Sequence, residues 1–511
     1  MIALETDNAA KYLRGLLLTA MFAGYALFAY RLASFPDLWV GALIVLCGGV
    51  IALLAISKRH SALLMAFVAA IPLVGFDFSL YFNERFGGDY RIAASLLDFT
   101  MIGLWAHYML TTPREARRPF RPSALKWSMA LLFVLAALSI NFAQEPALTF
   151  FELIRLFRMM TLAWLVAKCV NSESALALVL FALFAVTMAE GVLGFAQRVT
   201  GGQLDLGVVG GADKVMTQEL VGSGTAIRVA GTFGHTNQFA RYLGLVLPLA
   251  LAVAIATQKK SHRLLAGGTL LMGGAALVAT LSRAAWIGVT LGSALVFAAI
   301  FMQPALRAKA VQGLKVVLML LTPFVLININ TFIARFTSED EGSFATREPM
   351  ARIAMKIIED HPLGIGYGNY RIILPRYGDP FEPFTLQAKV HNMYLLIAAE
   401  LGIITLLAFL ALMLVVFVQC FQLAKRMPPE LSIVAIGIAG GLLAFTIHGL
   451  ADYEEIGRIP ILWLNIGLLA ALTRLYNDAS TAARKRNHEI GRAPRETEFA
   501  AHFRNARPSV N

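Results

Sequence analysis

Apolar stretches of membrane-spanning length recur along most of the chain, separated by polar segments. A helix needs about 20 mostly apolar residues to cross a bilayer. The sequence predicts about 12–14 transmembrane helices, because two of the fourteen candidates are short and two others almost meet near residue 283. The candidates are roughly 12–32, 38–57, 62–82, 92–111, 127–143, 147–167, 175–196, 238–257, 264–282, 284–303, 315–334, 391–421, 431–450 and 459–474.

Two connections, at about 197–237 and 335–390, are much longer and more polar than the others. Lys and Arg accumulate on the cytoplasmic side of membrane proteins. In the fourteen-span arrangement one side receives all the basic clusters, which are 58–59, 114–126, 259–263, 307–315, 425–426 and 484–486. The pattern therefore predicts cytoplasmic termini and places both long loops outside the membrane, in the periplasm if the cell is Gram-negative.

Composition agrees with a polytopic all-α membrane protein, since 58% of the residues are hydrophobic and only 15% are charged. The net charge of +12 is interpreted as loop charge plus a few functional arginines, not as a nucleic-acid surface. The three cysteines lie in apolar segments at wide spacing, which favours neither disulfides nor a metal cluster. We expect a single transmembrane domain over 1–474 and a basic cytoplasmic tail over 475–511.

The first candidate site segment runs from Arg228 to Arg241 and enters the span at 238–257. Its glycines permit a turn, and Thr236 or Asn237 can cap the helix that follows. A helix N-terminus beside Arg228 is a suitable anion site. An ordinary Gly-rich loop before a capped helix explains the local pattern equally well.

Two further arginines are candidates for binding a phosphate. Arg283 lies at the external junction of two spans, where it either binds an anion bidentately or extends harmlessly toward the interface. Arg158 lies in the span at 147–167, on one helix face with Glu152 and Arg155. Glu152 and Arg155 can pair with each other without any ligand. Arg158 is the weaker candidate for binding a lipid phosphate.

The long loop at 335–390 predicts an amphipathic helix along the membrane surface, from about Thr346 to the residues before Pro362. A glycine-rich turn follows it. Arg347 and Arg352 on this helix are candidates for substrate contact, although Arg352 also fits a solvated helix face.

His391 and Asn392 stand where this loop enters the next span. Histidine is a suitable general base at neutral pH, and Asn392 beside it is a candidate substrate contact. A lone histidine is more often structural, so its position at the join of loop and helix is what favours catalysis.

Together these residues resemble the O-antigen ligase and O-antigen (exopolysaccharide) polymerase superfamily over roughly 190–450. The similarity is carried by Arg228 with Gly231-Thr232-Phe233 and Asn237, by Ser282-Arg283, and by His391-Asn392 with Gly402 and Thr405 at the ligase spacing. The helix bearing Arg347 and the Pro-Leu-Gly-Ile-Gly turn are also similar to the family's external loop.

The resemblance implies a GT-C-like membrane glycosyltransferase of the bacterial inner membrane, with a metal-independent, inverting reaction and no cofactor. The donor would be a glycan on undecaprenyl diphosphate. The acceptor would be a sugar hydroxyl, on lipid A core for a ligase or on a lipid-linked glycan for a polymerase. His391 would be the catalytic base, and Arg228, Arg283, Arg347, Arg352, Asn392 and Arg158 would bind the diphosphate or substrate. Other polysaccharide-assembly proteins are further candidate partners, and nucleic acid is not.

Three readings stay open. Ligase and polymerase share the loop pattern; the long loop and histidine motif favour a ligase, and the number of spans favours an exopolysaccharide polymerase. A solute transporter would place its polar residues near the bilayer midplane. A structural scaffold would tolerate loss of His391 and Arg283.

Overall fold

The computed structural model describes residues 59–73, 77–82, 91–113, 123–201, 216–220, 224–327, 329–337, 344–378 and 389–489. These residues form sixteen α-helices, two 3₁₀ helices and two antiparallel hairpins. The helices are α1 (Arg59–Ala69), α2 (Leu96–Thr111), α3 (Ala124–Leu138), α4 (Pro146–Cys169), α5 (Glu173–Val199), α6 (Thr236–Ala256), α7 (Lys260–Ala279), α8 (Arg283–Phe301), α9 (Arg307–Ile327), α10 (Ile329–Thr337), α11 (Phe344–Asp360), α12 (Tyr370–Tyr377), α13 (Met393–Leu401), α14 (Ile403–Arg426), α15 (Pro429–His448) and α16 (Pro460–Glu489). The 3₁₀ helices are Ser139–Phe142 and Ile456–Arg458, and the hairpins pair β1 (Asp77–Phe82) with β2 (Arg91–Ser95) and β3 (Met216–Leu220) with β4 (Gly224–Arg228).

The predicted all-α polytopic fold is confirmed. In the described part of the chain, seven segments are long and apolar enough to cross a membrane: α3 with its 3₁₀ extension, α5, α6, α7, α8, α14 and α15. The protein is a multi-pass membrane protein. The two small hairpins were not predicted, and the first two candidate spans lie outside the described residues.

Helices α6 and α15 form the centre of the bundle, because nearly every residue in both is buried. They pack against each other, α8 packs on both, and α7 packs on α5 and α6. Glycines let these backbones meet: a Cβ on Gly288 of α8 would lie 2.6 Å from the carbonyl oxygen of Ala444. Such contacts between small residues are typical of helix packing in membranes, where apolar surface alone gives no net drive to associate.

The predicted spans at 62–82 and 391–421 are wrong as single helices. The stretch at 62–82 contains α1, which ends at Ala69, and strand β1, because Pro72 interrupts the helical pattern. The stretch at 391–421 breaks at Gly402 into α13 and α14. The hydrophobic pattern runs through both breaks and therefore does not reveal them.

The break at Gly402 is imposed by close packing. Gly402 has φ +88°, a conformation that favours glycine, and a Cβ there would lie 2.6 Å from the carbonyl carbon of Leu363. The amide of Ile403 donates to the carbonyl of Pro362 at 3.0 Å, and the amide of Ile365 donates to that of Ala399 at 3.1 Å. The glycine-rich turn is thereby locked onto the helix that begins after His391.

The predicted amphipathic helix exists as α11, but its apolar face is covered by protein. Met350, Ala354 and Ile357 are buried in a cluster that includes Ile373 of α12 and Leu396 of α13. This packing fixes α11, with Arg347 in its first turns, beside the helix that begins after His391. At the other end of the chain α16 continues to Glu489, past the domain boundary predicted at residue 474.

Candidate functional site

Two side chains of α5 fix the conformation of the loop that runs from Arg228 to α6. The Glu190 carboxylate accepts from the amide of Thr232 at 3.0 Å and from its hydroxyl at 2.7 Å. Gln197 Oε1 accepts from the amide of Gly231 at 2.9 Å. His235 then caps α6, because its Nδ1 accepts from the amide of Asn237 at 3.2 Å. The start of α6 is thus a fixed platform.

Two arginines converge on the turn between α7 and α8. Arg228 donates from Nε to the carbonyl of Thr280 at 2.8 Å, and Arg335 donates from Nε to that of Leu281 at 3.0 Å. Leu281 has φ +54°, which is strained for a branched side chain and presents consecutive carbonyls to the two guanidinium groups. Arg283 follows this turn at the start of α8. Three arginines from distant segments therefore gather at one junction.

Asp452, which follows α15, joins these elements to His391. Its carboxylate pairs with the Arg241 guanidinium at 2.5 Å and accepts from Asn237 Nδ2 at 3.2 Å. Asn237 in turn accepts from Arg228 Nη2 at 3.1 Å. His391 Nδ1 lies 3.9 Å from Asp452 Oδ1, close enough for electrostatic attraction but too long for a hydrogen bond.

Charges in this cluster set the ionisation of its members. Burial alone would raise the pKa of Asp452, but the Arg241 guanidinium holds it well below its usual range. Burial lowers the pKa of His235, and Arg228 and Arg241 lower it further against the opposing charge of Asp452. Asp452 is therefore a fixed anion, and His235 is a neutral cap at physiological pH.

His391 is oriented by the segments around it. Its ring meets the ring of Tyr453 edge to face, with centroids 5.3 Å apart. The side chain is 32% exposed, whereas Asp452 is only 6% exposed. Nδ1 is the ring nitrogen that faces the Asp452 carboxylate.

The side chain of Asn392 forms hydrogen bonds to the backbone at both of its polar atoms. Its Oδ1 caps α13 by accepting from the amides of Tyr394 at 2.9 Å and Leu395 at 3.0 Å. Its Nδ2 donates to the carbonyl of Leu450 at 3.1 Å. Asn392 therefore anchors the start of α13 to the loop that carries Asp452.

The remaining predicted residues divide by position. Arg347 is half-buried and lies close enough to His448 for an electrostatic interaction between the two side chains. His448 Nε2 lies 3.4 Å from Ser282 Oγ, and His448 also interacts electrostatically with Asp452. Arg352 is 72% exposed and lies 3.9 Å from Glu348. Arg158 donates to Asp98 of α2 at 3.1 Å. The structure thus brings Arg228, Arg347 and His391 to one cluster, and it gives Arg158 and Arg352 carboxylate partners of their own.

Sequence reasoning missed His448 and Asp452, and it named Arg241 only as the end of the first candidate segment. All three lie in or beside apolar spans, where an ionisable residue is a functional hypothesis by default. The signal available in the sequence was the short acidic run from Asp452 to Glu455. It lies on the same predicted side of the membrane as the candidate arginines. Within the described ranges, no group of three or more His, Cys, Asp or Glu side chains is arranged to hold a metal ion.

A family model described as O-antigen ligase matches residues 267–410. The chain is therefore similar to the O-antigen ligase family over these residues. This confirms the resemblance drawn from the sequence, and the family implies lipid-linked glycan substrates. No curated protein matches the chain.

The segment that the family model matches contains Arg283, Arg347 and His391 but ends before Asp452. Arg228 and Arg241 precede it. The candidate site is therefore completed by side chains from both flanking parts of the chain, which the fold brings to the matched segment.

Proposed function

We propose that this protein transfers a glycan from undecaprenyl diphosphate to a sugar hydroxyl, in the manner of an O-antigen ligase. The observation that carries the proposal is the convergence of His391, Asp452 and several arginines in one cluster. A lipid diphosphate leaving group needs cations, and an acceptor hydroxyl needs a base. Both kinds of group are present here.

The reaction we propose is a single inverting displacement. The acceptor oxygen attacks the anomeric carbon of the donor sugar, and the bond from that carbon to the diphosphate oxygen breaks. His391 Nε2 takes the proton of the attacking hydroxyl, while Asp452 stabilises the imidazolium that forms. The negative charge that develops on the diphosphate is stabilised by Arg228 and Arg283, a role that arginine performs through bidentate hydrogen bonds. We expect no metal in this step.

The orientation that we propose places the cluster in the periplasm and the termini in the cytoplasm of the bacterial inner membrane. The cluster gathers at the start of α6, the turn between α7 and α8, and the end of α15. The opposite ends of these helices carry Lys259, Lys260 and Arg307. Cytoplasmic loops are the ones enriched in Lys and Arg, which supports this orientation.

The deciding experiment is glycan analysis of a deletion strain complemented with His391→Ala. Loss of surface polymer with accumulation of full-length lipid-linked chains is the result expected for a ligase. Accumulation of single lipid-linked repeats would instead identify a polymerase of the same superfamily. Normal polymer would overturn the assignment of His391.

His262→Ala is the matched control, because His262 lies at the start of α7, the end opposite the cluster. It should restore normal polymer at equal protein level. A second measurement tests the metal-free reaction: purified protein should keep its activity in EDTA, and loss of activity that added metal restores would contradict that part of the proposal.

A further inference from the structure

A buried network of charged side chains adjoins the site on both sides of the His391–Asp452 contact. Lys389 precedes His391 by two residues, and Glu455 follows Asp452 by three. Lys389, Glu152, Glu400 and Glu455 are each no more than 5% exposed. The members of the network are Glu152, Arg155, Lys389, Glu400, Glu455 and Arg458.

The Lys389–Glu455 ion pair is the part of the network that links the two site segments directly. Lys389 Nζ donates to Glu455 Oε1, and Lys389 also lies 3.9 Å from Glu400 Oε1. Glu455 Oε2 lies 3.6 Å from Arg458 Nε, and Arg458 pairs with Glu152 of α4. The segment before His391 and the segment after Asp452 are thus tied to each other and to the helix bundle.

Glu400 ties the same network to the glycine-rich turn. Its carboxylate accepts from the amides of Gly368 at 3.0 Å and Tyr370 at 3.2 Å. The Tyr367 hydroxyl accepts from the amide of Gly457 at 3.2 Å, next to Arg458. The glycine-rich turn is therefore hydrogen-bonded both to α13, which follows His391, and to the segment that follows Asp452.

Both partners of the pair are charged in the folded protein. Burial alone would lower the pKa of Lys389, but Glu455 and Glu400 raise it above its usual range. Burial alone would raise the pKa of Glu455, but Arg458 and Lys389 hold it well below. A buried ion pair is weak grounds for stability, since apolar residues of similar size often serve as well. A role in fixing geometry is the alternative use of such a pair.

We propose that Lys389 and Glu455 are positioning residues, whose ion pair holds His391 against Asp452 for proton transfer. This inference rests on the proposed function. Residues in an extended chain rise about 3.3 Å each, so Lys389 is only two short steps from His391. A displacement of about 1 Å at a catalytic group can cost about 10²-fold in rate. The separation of 3.9 Å between His391 Nδ1 and Asp452 Oδ1 already exceeds a hydrogen bond, so a further displacement of that size would weaken their attraction.

The test is a double-mutant cycle between Lys389→Met and Asp452→Asn. Purified full-length variants are assayed with lipid-linked glycan extracted from the deletion strain as donor and membranes of that strain as acceptor. Lys389→Met should lower kcat by about 10–100-fold with KM nearly unchanged, because only the geometry of the base is altered. In the Asp452→Asn background the same substitution should lower kcat by less than about 3-fold, because the effects of substitutions at coupled residues are not additive. Lys389→Arg should restore much of the rate.

Independent, multiplicative effects of the two substitutions would overturn the inference, and so would a rise in KM with unchanged kcat. If Lys389→Met does not fold, Glu455→Gln and the exchange of Lys389→Glu with Glu455→Lys enter the same cycle, read after size-exclusion chromatography. Gln419→Ala is the control for a lost interior hydrogen bond, since Gln419 bonds Thr473 outside the network. It should lower thermal stability but not kcat. Full activity of Asp452→Asn and His391→Ala would reject the proposed function itself, which distinguishes the two failures.

Discussion

His391 Nδ1 lies 3.9 Å from Oδ1 of Asp452, although His391 precedes α13 and Asp452 follows α15. Arg241 holds the other carboxylate oxygen, Oδ2, and Asn237 donates to Oδ1. A carboxylate fixed in this way selects the orientation of the imidazole and stabilises its protonated form. The first prediction concerns this contact.

Asp452→Asn should lower kcat by roughly 10²–10⁴-fold with a small effect on KM, because an amide supports the wrong tautomer of the histidine and cannot stabilise its cation. Steady-state kinetics on purified protein measure this. Asn237→Ala is the comparison, since it removes a neighbour of Asp452 but leaves the carboxylate. Equal losses in the two variants would contradict a special role for the carboxylate.

Arg241→Met should destabilise the fold by about 3–5 kcal/mol, because it leaves the buried carboxylates of Asp452 and Glu454 without their cation. Chemical denaturation in detergent, followed by tryptophan fluorescence, measures the change. Arg241→Met combined with Asp452→Asn should recover part of the loss. No recovery in the double variant would show that the cost comes from packing and not from an unpaired charge.

The acid sensitivity of the fold follows from the lowered pKa of Asp452. A carboxyl group whose folded pKa is lowered contributes stability above its unfolded pKa, about 3.9, and loses it as pH falls toward the folded value. The stability difference between wild type and Asp452→Asn should therefore be constant from about pH 5 to 8 and shrink below about pH 4. Thermal unfolding of both proteins across this range checks the sign. A difference that grows on acidification would be the opposite of what the Arg241 pairing predicts.

Gly402→Ala should destabilise by at least about 1–3 kcal/mol, because φ is +88° and the added Cβ would press on the backbone of Leu363. Melting temperature in detergent measures it. Gly274→Ala in α7 is the matched control, since a Cβ there meets nothing within 4 Å. The control should leave stability unchanged or slightly raised. Equal melting temperatures for the two variants would contradict the locked break between α13 and α14.

Arg283 and Arg352 should differ in their contribution to the reaction. Arg283 starts α8 at the arginine-rich junction, and Arg283→Ala should cost about 10²-fold or more in kcat if it stabilises the leaving group. Arg352 is 72% exposed near Glu348, and Arg352→Ala should cost less than about tenfold, because an exposed charge is screened by water. Kinetics with a common donor preparation compare them, and a larger loss in Arg352→Ala would reverse this order.

The spacing of apolar residues was enough to predict the helical membrane fold, because a bilayer forces each spanning segment to satisfy its own backbone hydrogen bonds. The helix at Phe344–Asp360 could be predicted from its apolar periodicity, although it begins two residues before the predicted start at Thr346. The break at Gly402 could not, since the apolar pattern continues through it, whereas Pro72 was a local signal that the apolar pattern outweighed. Gly402 breaks its helix where Leu363 packs against it from elsewhere in the chain.

The sequence by itself determined which chemistry is available: a histidine at the mouth of a helix, arginines at loop ends, and a segment that the O-antigen ligase family model matches. Only the tertiary structure decided which of these groups meet. Arg158 and Arg352 have carboxylates beside them, whereas Arg228 reaches Asp452 through Asn237. The partners of Asp452, Arg241 and Lys389 lie far away in the sequence, and only the fold brings them together. Such pairing depends on how helices pack, and local sequence carries no record of it.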